Sequence, residues 1–286
     1  MRSPVARPAA VAIVVLLAGL TWRQCRLYRD EETLYTATLA ENPDSWVAHS
    51  NLATVLAAGG RLPEAVAHYE AALRLGADSP ETYNSFGNAL ARLHRLPEAF
   101  SAYGEALRLS PGFAIADCDW GNALSDAGRL SEARARYEAA LRLRPDYPEA
   151  LYGLANVLAN TGALGDAIAH YRKALQIRGD YAEAHANLGL ALATANRAAD
   201  ALPELAAAIR LRPAYAEAHA YLGFALARLG RLTDAAGEYR EALRLNPGDR
   251  DTHYQLGMAL QALGKPGEAA VEFKAAETPP SGRPEP

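Results

Sequence analysis

Seven histidines, at positions 49, 68, 94, 170, 185, 219 and 253, are the side chains of this chain best suited to hold a metal or move a proton near neutral pH. A shared metal would need several of them within about 2 Å of one ion. Their spacing argues against it. His49, His185, His219 and His253 differ by multiples of 34 residues, as do His68 and His170, and His94 stands where other copies of the pattern carry glycine. Equivalent positions in packed neighbouring helical units lie about 10 Å apart, so these rings read as separate structural groups. The acids Glu64, Glu98, Glu132, Asp166, Asp200, Asp234 and Glu268 share the same interval. Each opens a helix, where a carboxylate suits the helix dipole. Cys25 and Cys118 are too few for a disulfide framework or a metal site. No metal ligand set, cofactor motif or nucleophile–base pair emerges, and the chain reads as a non-enzyme.

The polar groups left over are amides and phenols. Asn88, Asn122 and Asn156 fall at one position of three successive units, and Asn51 and Asn187 sit three residues earlier in theirs. Asn84, Tyr152 and Tyr254 share a neighbouring position. An amide both donates and accepts, so a file of amides pairs with the backbone of an extended peptide whatever its side chains. The alternative is that they are solvated helix residues.

The elements that must position these residues follow from the same interval. In 216–249, Leu222, Ala225, Leu226 and Leu229 form the apolar stripe of one helix, and Gly230-Arg231 ends it. A second helix carries Ala235, Tyr239, Ala242, Leu243 and Leu245 up to Asn246-Pro247-Gly248. The unit is an antiparallel helix pair, and it recurs without insertion as 46–79, 80–113, 114–147, 148–181, 182–215, 216–249 and 250–283. Small residues recur beside the first-helix core (Ala53, Gly87, Gly121, Ala155, Gly189, Gly223, Gly257). An aromatic recurs in the second helix (Tyr69, Tyr103, Tyr137, Tyr171, Tyr239, Phe273), with Leu205 in its place once. Small residues admit close helix approach, and the large ring fills the wedge beside them.

This pattern resembles the tetratricopeptide repeat (TPR) from about Trp46 to Glu277. The resemblance implies an all-α fold, a right-handed superhelix of antiparallel helix pairs, with the first helices lining its inner groove. Asn51, Ser85, Asp119, Gly153, Asn187, Tyr221 and Gln255 stand where the TPR superhelix of O-linked N-acetylglucosamine transferases carries an asparagine ladder, and two of these are asparagine. Chaperone-binding TPR domains hold a carboxylate with Lys, Asn and Arg. The corresponding positions here (Ser50, Asn84, Cys118, Tyr152, Ala186, Ala220, Tyr254) carry no cation, so a carboxylate clamp is not expected.

Departures from the period are informative. Pro203 lies inside the second helix of the fifth repeat, which is expected to start late or kink and, with Leu205 replacing an aromatic, to be a soft point. Residues 30–45 read as a half-repeat, with Tyr35 and Leu39 in register with Tyr69 and Leu73. The stretch 278–286, TPPSGRPEP, is Pro-rich and polar and reads as disordered.

Residues 1–29 stand apart. Arg2 and Arg7 precede an apolar run from Pro8 to Trp22, and Arg23, Arg26 and Arg29 follow. Fifteen helical residues span about 22 Å, short of the ~30 Å hydrocarbon core, which fits a tilted anchor or the core of a signal peptide. Small residues that would mark a cleavage site are missing after the run, which favours an uncleaved single-pass anchor. No Gly or Pro falls between Thr21 and Ala40, so one helix is expected to run from the anchor into the half-repeat. The junction TWRQCRLYRDEETLYTATLAENPDSW resembles that of multi-pass transmembrane-and-TPR glycosyltransferase-like proteins, which implies repeats on the extracytoplasmic side.

A net charge of −4 and a pI near 6.0 leave no basic footprint for nucleic acid. The expectation is a membrane-tethered scaffold or adaptor that binds an extended peptide or partner protein in its groove, with an uncapped last repeat offering a face for self-association. The alternative is the substrate-recognition part of a glycosyltransferase system whose catalysis resides on a separate chain.

Overall fold

The computed structural model describes Leu17 and residues 30–277. Apart from Leu17, the expected anchor (1–29) and the Pro-rich stretch 278–286 lie outside the described residues. Among the described residues there are fifteen helices and no strand, and no helix is long and apolar enough to cross a membrane. The chain divides into two compact units, Met1–Ala123 and Leu124–Pro286.

The first unit contains α1 (Glu31–Glu41), α2 (Trp46–Ala58), α3 (Leu62–Arg74), α4 (Pro80–Arg92), α5 (Leu96–Leu109) and α6 (Ala114–Asp126) as far as Ala123. Within the described residues, the helix expected to run on from Thr21 begins at Glu31. Asp30 is extended (φ −152°, ψ 160°), and its carboxylate accepts the Thr33 amide at 2.8 Å. With Glu31 and Glu32 in the first turn, Asp30 has the chemistry of an N-cap, which starts a helix without help from Gly or Pro. Tyr35 and Leu39 of α1 pack on a core of Leu52, Leu56, Val66, Tyr69, Leu90 and Tyr103. In this way the half-repeat covers the first full pair.

The second unit contains the remainder of α6 and then α7 (Leu130–Leu143), α8 (Pro148–Asn160), α9 (Leu164–Ile177), α10 (Ala182–Thr194), α11 (Ala198–Leu211), α12 (Ala216–Arg228), α13 (Leu232–Leu245), α14 (Arg250–Ala262) and α15 (Pro266–Glu277). The turn inside each pair needs a residue in the left-handed region. Gly60, Gly128, Gly162, Gly230 and Gly264 supply it, and His94 (φ 58°) and Asn196 (φ 60°) take the same conformation at the equivalent place. Second helices open without a side-chain cap. Instead, in every second helix but α9, where Ala163 takes the place, a cation precedes the first-turn acid and pairs with it, as in Arg61–Glu64 at 2.6 Å and Arg231–Asp234 at 2.7 Å. These acids therefore serve ion pairs as well as the dipole.

The wedge side chains sit directly on the small residues. A Cβ on Gly87 would lie 2.8 Å from the Tyr103 ring, and one on Gly223 would lie 2.7 Å from Tyr239. Leu205 is fully buried and seats on Gly189, whose Cβ would lie 2.5 Å from it. Leucine thus occupies the wedge position in place of the ring. Helix α11 does not start late: it opens at Ala198, the equivalent of Leu232 in α13, and carries Pro203 inside on its exposed side. Initiation depends on the turn and the Arg197–Asp200 pair at 2.7 Å, both of which lie before the proline.

Candidate functional site

Two sets of hydrogen bonds, one in each unit, link a first helix to the first helix before it. In the first unit, Asn84 and Asn88 of α4 both donate through Nδ2 to Asp119 Oδ2 of α6, each at 2.8 Å. The Asn88 carbonyl in turn accepts the Tyr103 hydroxyl at 2.7 Å. The next first helix thus reaches back to its predecessor, and the predecessor's amide also holds the wedge tyrosine. Asn84 is 6 % exposed, and its Oδ1 has no hydrogen-bond partner.

The second unit repeats the arrangement 68 residues on, with different chemistry. Asn187 of α10 takes the place of Asp119 and donates through Nδ2 both to Tyr152 Oη and to Asn156 Oδ1, each at 3.0 Å. The same Asn156 oxygen accepts the Tyr171 hydroxyl at 2.6 Å. Tyr152 lies against Tyr171 and Tyr181, with ring centroids 6.0 and 4.8 Å away. Burial raises the pKa of Tyr152, Tyr171 and Tyr181, and pushes Tyr215 up to about 12. These phenols stay protonated, so their own contribution is neutral hydroxyls, with the Arg178 guanidinium stacked 3.6 Å from the Tyr181 ring centroid at the edge of the cluster.

Beside this network lies a recess of about 420 Å³. Asn156, Asn160, Asn187, Thr194 and Tyr221 form its polar walls, and Leu164 and Leu190 its apolar ones. Its volume falls within the ~300–1,000 Å³ typical of ligand sites. No lining residue is ionic.

The residues singled out by sequence fare differently. Asn156, Asn187 and Tyr152 converge on one cluster. Asn84 and Asn88 converge on Asp119, a residue that the ladder comparison had set aside as a mismatch. Asn51 is half-buried at the inner-face position whose later equivalents are Asp119 and Asn187. Asn122 is exposed. Tyr254 is half exposed and packs against Phe273, with ring centroids 5.6 Å apart and the planes tilted by 53°. As for Asn88 and Asn156, they are half-buried and bonded to tyrosines, not simply solvated. A signal for this lies in the sequence: the partners are 15 residues apart. Thr54 fills the same role for Tyr69 at 3.0 Å. Where the wedge is Leu205 or Phe273, the residue 15 before it is Leu190 or Met258.

The recurrent histidines take up structural posts. His185 places Nδ1 2.7 Å from Glu204 Oε2 and Nε2 3.1 Å from the Gly179 carbonyl. His219 and His253 repeat this with Glu238 and Glu272, and with the carbonyls of Pro213 and Pro247. In each, both ring nitrogens face acceptor oxygens. In the first unit, His49 meets His68 instead, Nδ1 to Nδ1 at 2.8 Å. Among the described residues no three His, Cys, Asp or Glu side chains converge as metal ligands.

Family models described as tetratricopeptide repeat match residues 45–111, 118–182, 186–250 and 251–273. The chain belongs to the tetratricopeptide-repeat family. Among solved TPR structures it is similar to YrrB, described as a TPR protein with an unusual peptide-binding site. That match has 27 % identity and a TM-score of 0.51, and covers 61 % of this chain and 90 % of YrrB. It is also similar to MamA from Desulfovibrio magneticus RS-1, with 26 % identity, a TM-score of 0.52 and coverage of 57 % and 92 %. The APC/C hetero-tetramer Cut9–Hcn1 gives a TM-score of 0.71 at 20 % identity over 79 % of this chain, a likeness of fold alone, and the match spans 45 % of that chain. No curated protein matches this TPR chain significantly.

Proposed function

We propose that this TPR protein is a non-enzymatic adaptor that holds an extended segment of a partner protein against its first helices, with the recess between α8, α10 and α12 as the principal seat. The observation that carries this reading is the recess itself. Amides and hydroxyls wall a concave site whose neighbouring network fixes their rotamers, which lowers the entropy lost on binding. Similarity to YrrB, a peptide-binding TPR protein, supports the same reading. The chemistry present is hydrogen bonding by neutral groups, suited to recognition of peptide backbone. In this proposal the apolar run from Pro8 to Trp22 tethers the adaptor to a membrane, with the repeats on the extracytoplasmic side.

Site-specific photo-crosslinking tests the seat. A benzoylphenylalanine at Thr194, exposed on the recess wall, is expected to capture a partner chain. The same group at Ala169, exposed on the second helix α9, is expected to capture none. Equal capture from the two positions would remove the recess from the account.

A further inference from the structure

We infer that the recess of the second unit selects an uncharged side chain from the bound segment and rejects Asp, Glu, Lys and Arg at that position. The inference rests on the peptide-binding reading above and names what the same site accepts. Its ground is the composition of the walls. Asn156, Asn160, Asn187, Thr194 and Tyr221 are neutral, and burial raises the Tyr221 pKa, which keeps that phenol un-ionised. Two of the available donors are already committed. Asn187 Nδ2 serves Tyr152 and Asn156, and Thr194 Oγ1 donates to its own helix at Leu190 O, 2.8 Å away.

A carboxylate entering the recess would lose water and meet no cation among the lining residues, and an ammonium would meet no anion among them, Glu217 and Asp249 acting on Tyr221 from beyond the lining. Either loss exceeds what neutral hydrogen bonds return. An uncharged side chain meets Leu164 and Leu190 on one side and amides on the other. The first unit makes a useful contrast, because its equivalent of Asn187 is the carboxylate of Asp119. The same fold therefore builds this position with or without charge, and the second unit carries the version without.

The test uses the full chain and a phage-displayed library of random dodecapeptides as probe. Peptides enriched on the wild-type protein are expected to align with one position from which all four charged residues are depleted about tenfold. Asn160→Asp is nearly isosteric at an exposed position, and on that variant the same position is expected to turn toward Lys and Arg. Thr194→Asp, on the opposite wall, is expected to do the same and guards against a local effect of the first change. Enriched peptides that carry charged residues at library frequency throughout, or an unchanged profile on both variants, would overturn the selectivity while leaving peptide binding intact. Failure of the library to enrich at all would overturn the peptide-binding reading, and the selectivity with it.

Discussion

Tyr171 donates its buried hydroxyl to Asn156 Oδ1 at 2.6 Å, whereas Tyr239, equally buried, has a hydroxyl with no partner because Phe224 stands where the asparagine would be. The two sites make a matched pair. Asn156→Ala is expected to cost about 1–3 kcal/mol, since it strands the Tyr171 hydroxyl, and adding Tyr171→Phe is expected to recover much of that loss. Tyr239→Phe removes a hydroxyl that is already stranded and is expected to be neutral or stabilising. Denaturant unfolding of these three variants and of Tyr171→Phe alone measures this. A cost for Tyr239→Phe equal to that for Tyr171→Phe would contradict the account.

Two histidines are expected to respond to pH in opposite directions. His185 has its pKa raised above the ordinary value of 6.5, first by the hydrogen bond to Glu204. Its contribution is fully present below pH 6.5 and is lost as pH rises through the folded pKa. Burial, and then the charge of His49, lower the pKa of His68. Its contribution is present above 6.5 and is lost as pH falls through the folded pKa. Urea unfolding between pH 5 and 8 is the measurement. His185→Gln is expected to flatten the loss on the alkaline side and His68→Gln the loss on the acidic side.

Glycine replacement separates packing from propensity. Gly237 lies inside α13 with nothing near its missing Cβ, so Gly237→Ala is expected to stabilise by about 0.8–1 kcal/mol. A Cβ on Gly153 would lie 2.5 Å from the buried Tyr137 ring. Gly153→Ala is expected to destabilise by a net ~1–2 kcal/mol despite the better helix former. Thermal denaturation distinguishes the two signs.

The tether makes a separate prediction. Full-length protein is expected to stay with membranes through a carbonate wash, and a fragment starting at Asp30 to be released. Cys118 is 1 % exposed and a poor topology reporter. A cysteine introduced at exposed Ser101 is expected to label from the extracytoplasmic side. Release of the full-length chain by carbonate would end the anchor proposal.

Much of this was legible in the residues alone, because a strict 34-residue period transfers one helix assignment to every copy. The left-handed turn was legible at His94, where the register demanded glycine. What escaped was of three kinds. Asp30 caps a helix through a side chain, and a scan for Gly and Pro passes over it. Pro203 was expected to delay the start of α11, but it lies beyond the turn and ion pair that start that helix. The links from Asp119 back to Asn84 and Asn88, and from Asn187 back to Tyr152 and Asn156, depend on the rotation between successive first helices, which periodicity does not encode. By contrast, the tyrosine–asparagine pairs at 15-residue spacing were in plain view and needed only the question of where a buried phenol finds its acceptor.

The two kinds of bond differ in how they pass through gene duplication. A tyrosine and the asparagine 15 residues before it lie inside one repeat, so a copied or transplanted repeat carries both and its wedge arrives complete. The bonds at separations of 31 and 35 residues span a boundary, so each new neighbour rewrites them. Shuffling repeats of this protein would therefore carry the wedge bonds along and rewrite the links between first helices, provided that contacts such as Tyr137 on Gly153, which also cross a boundary, are kept.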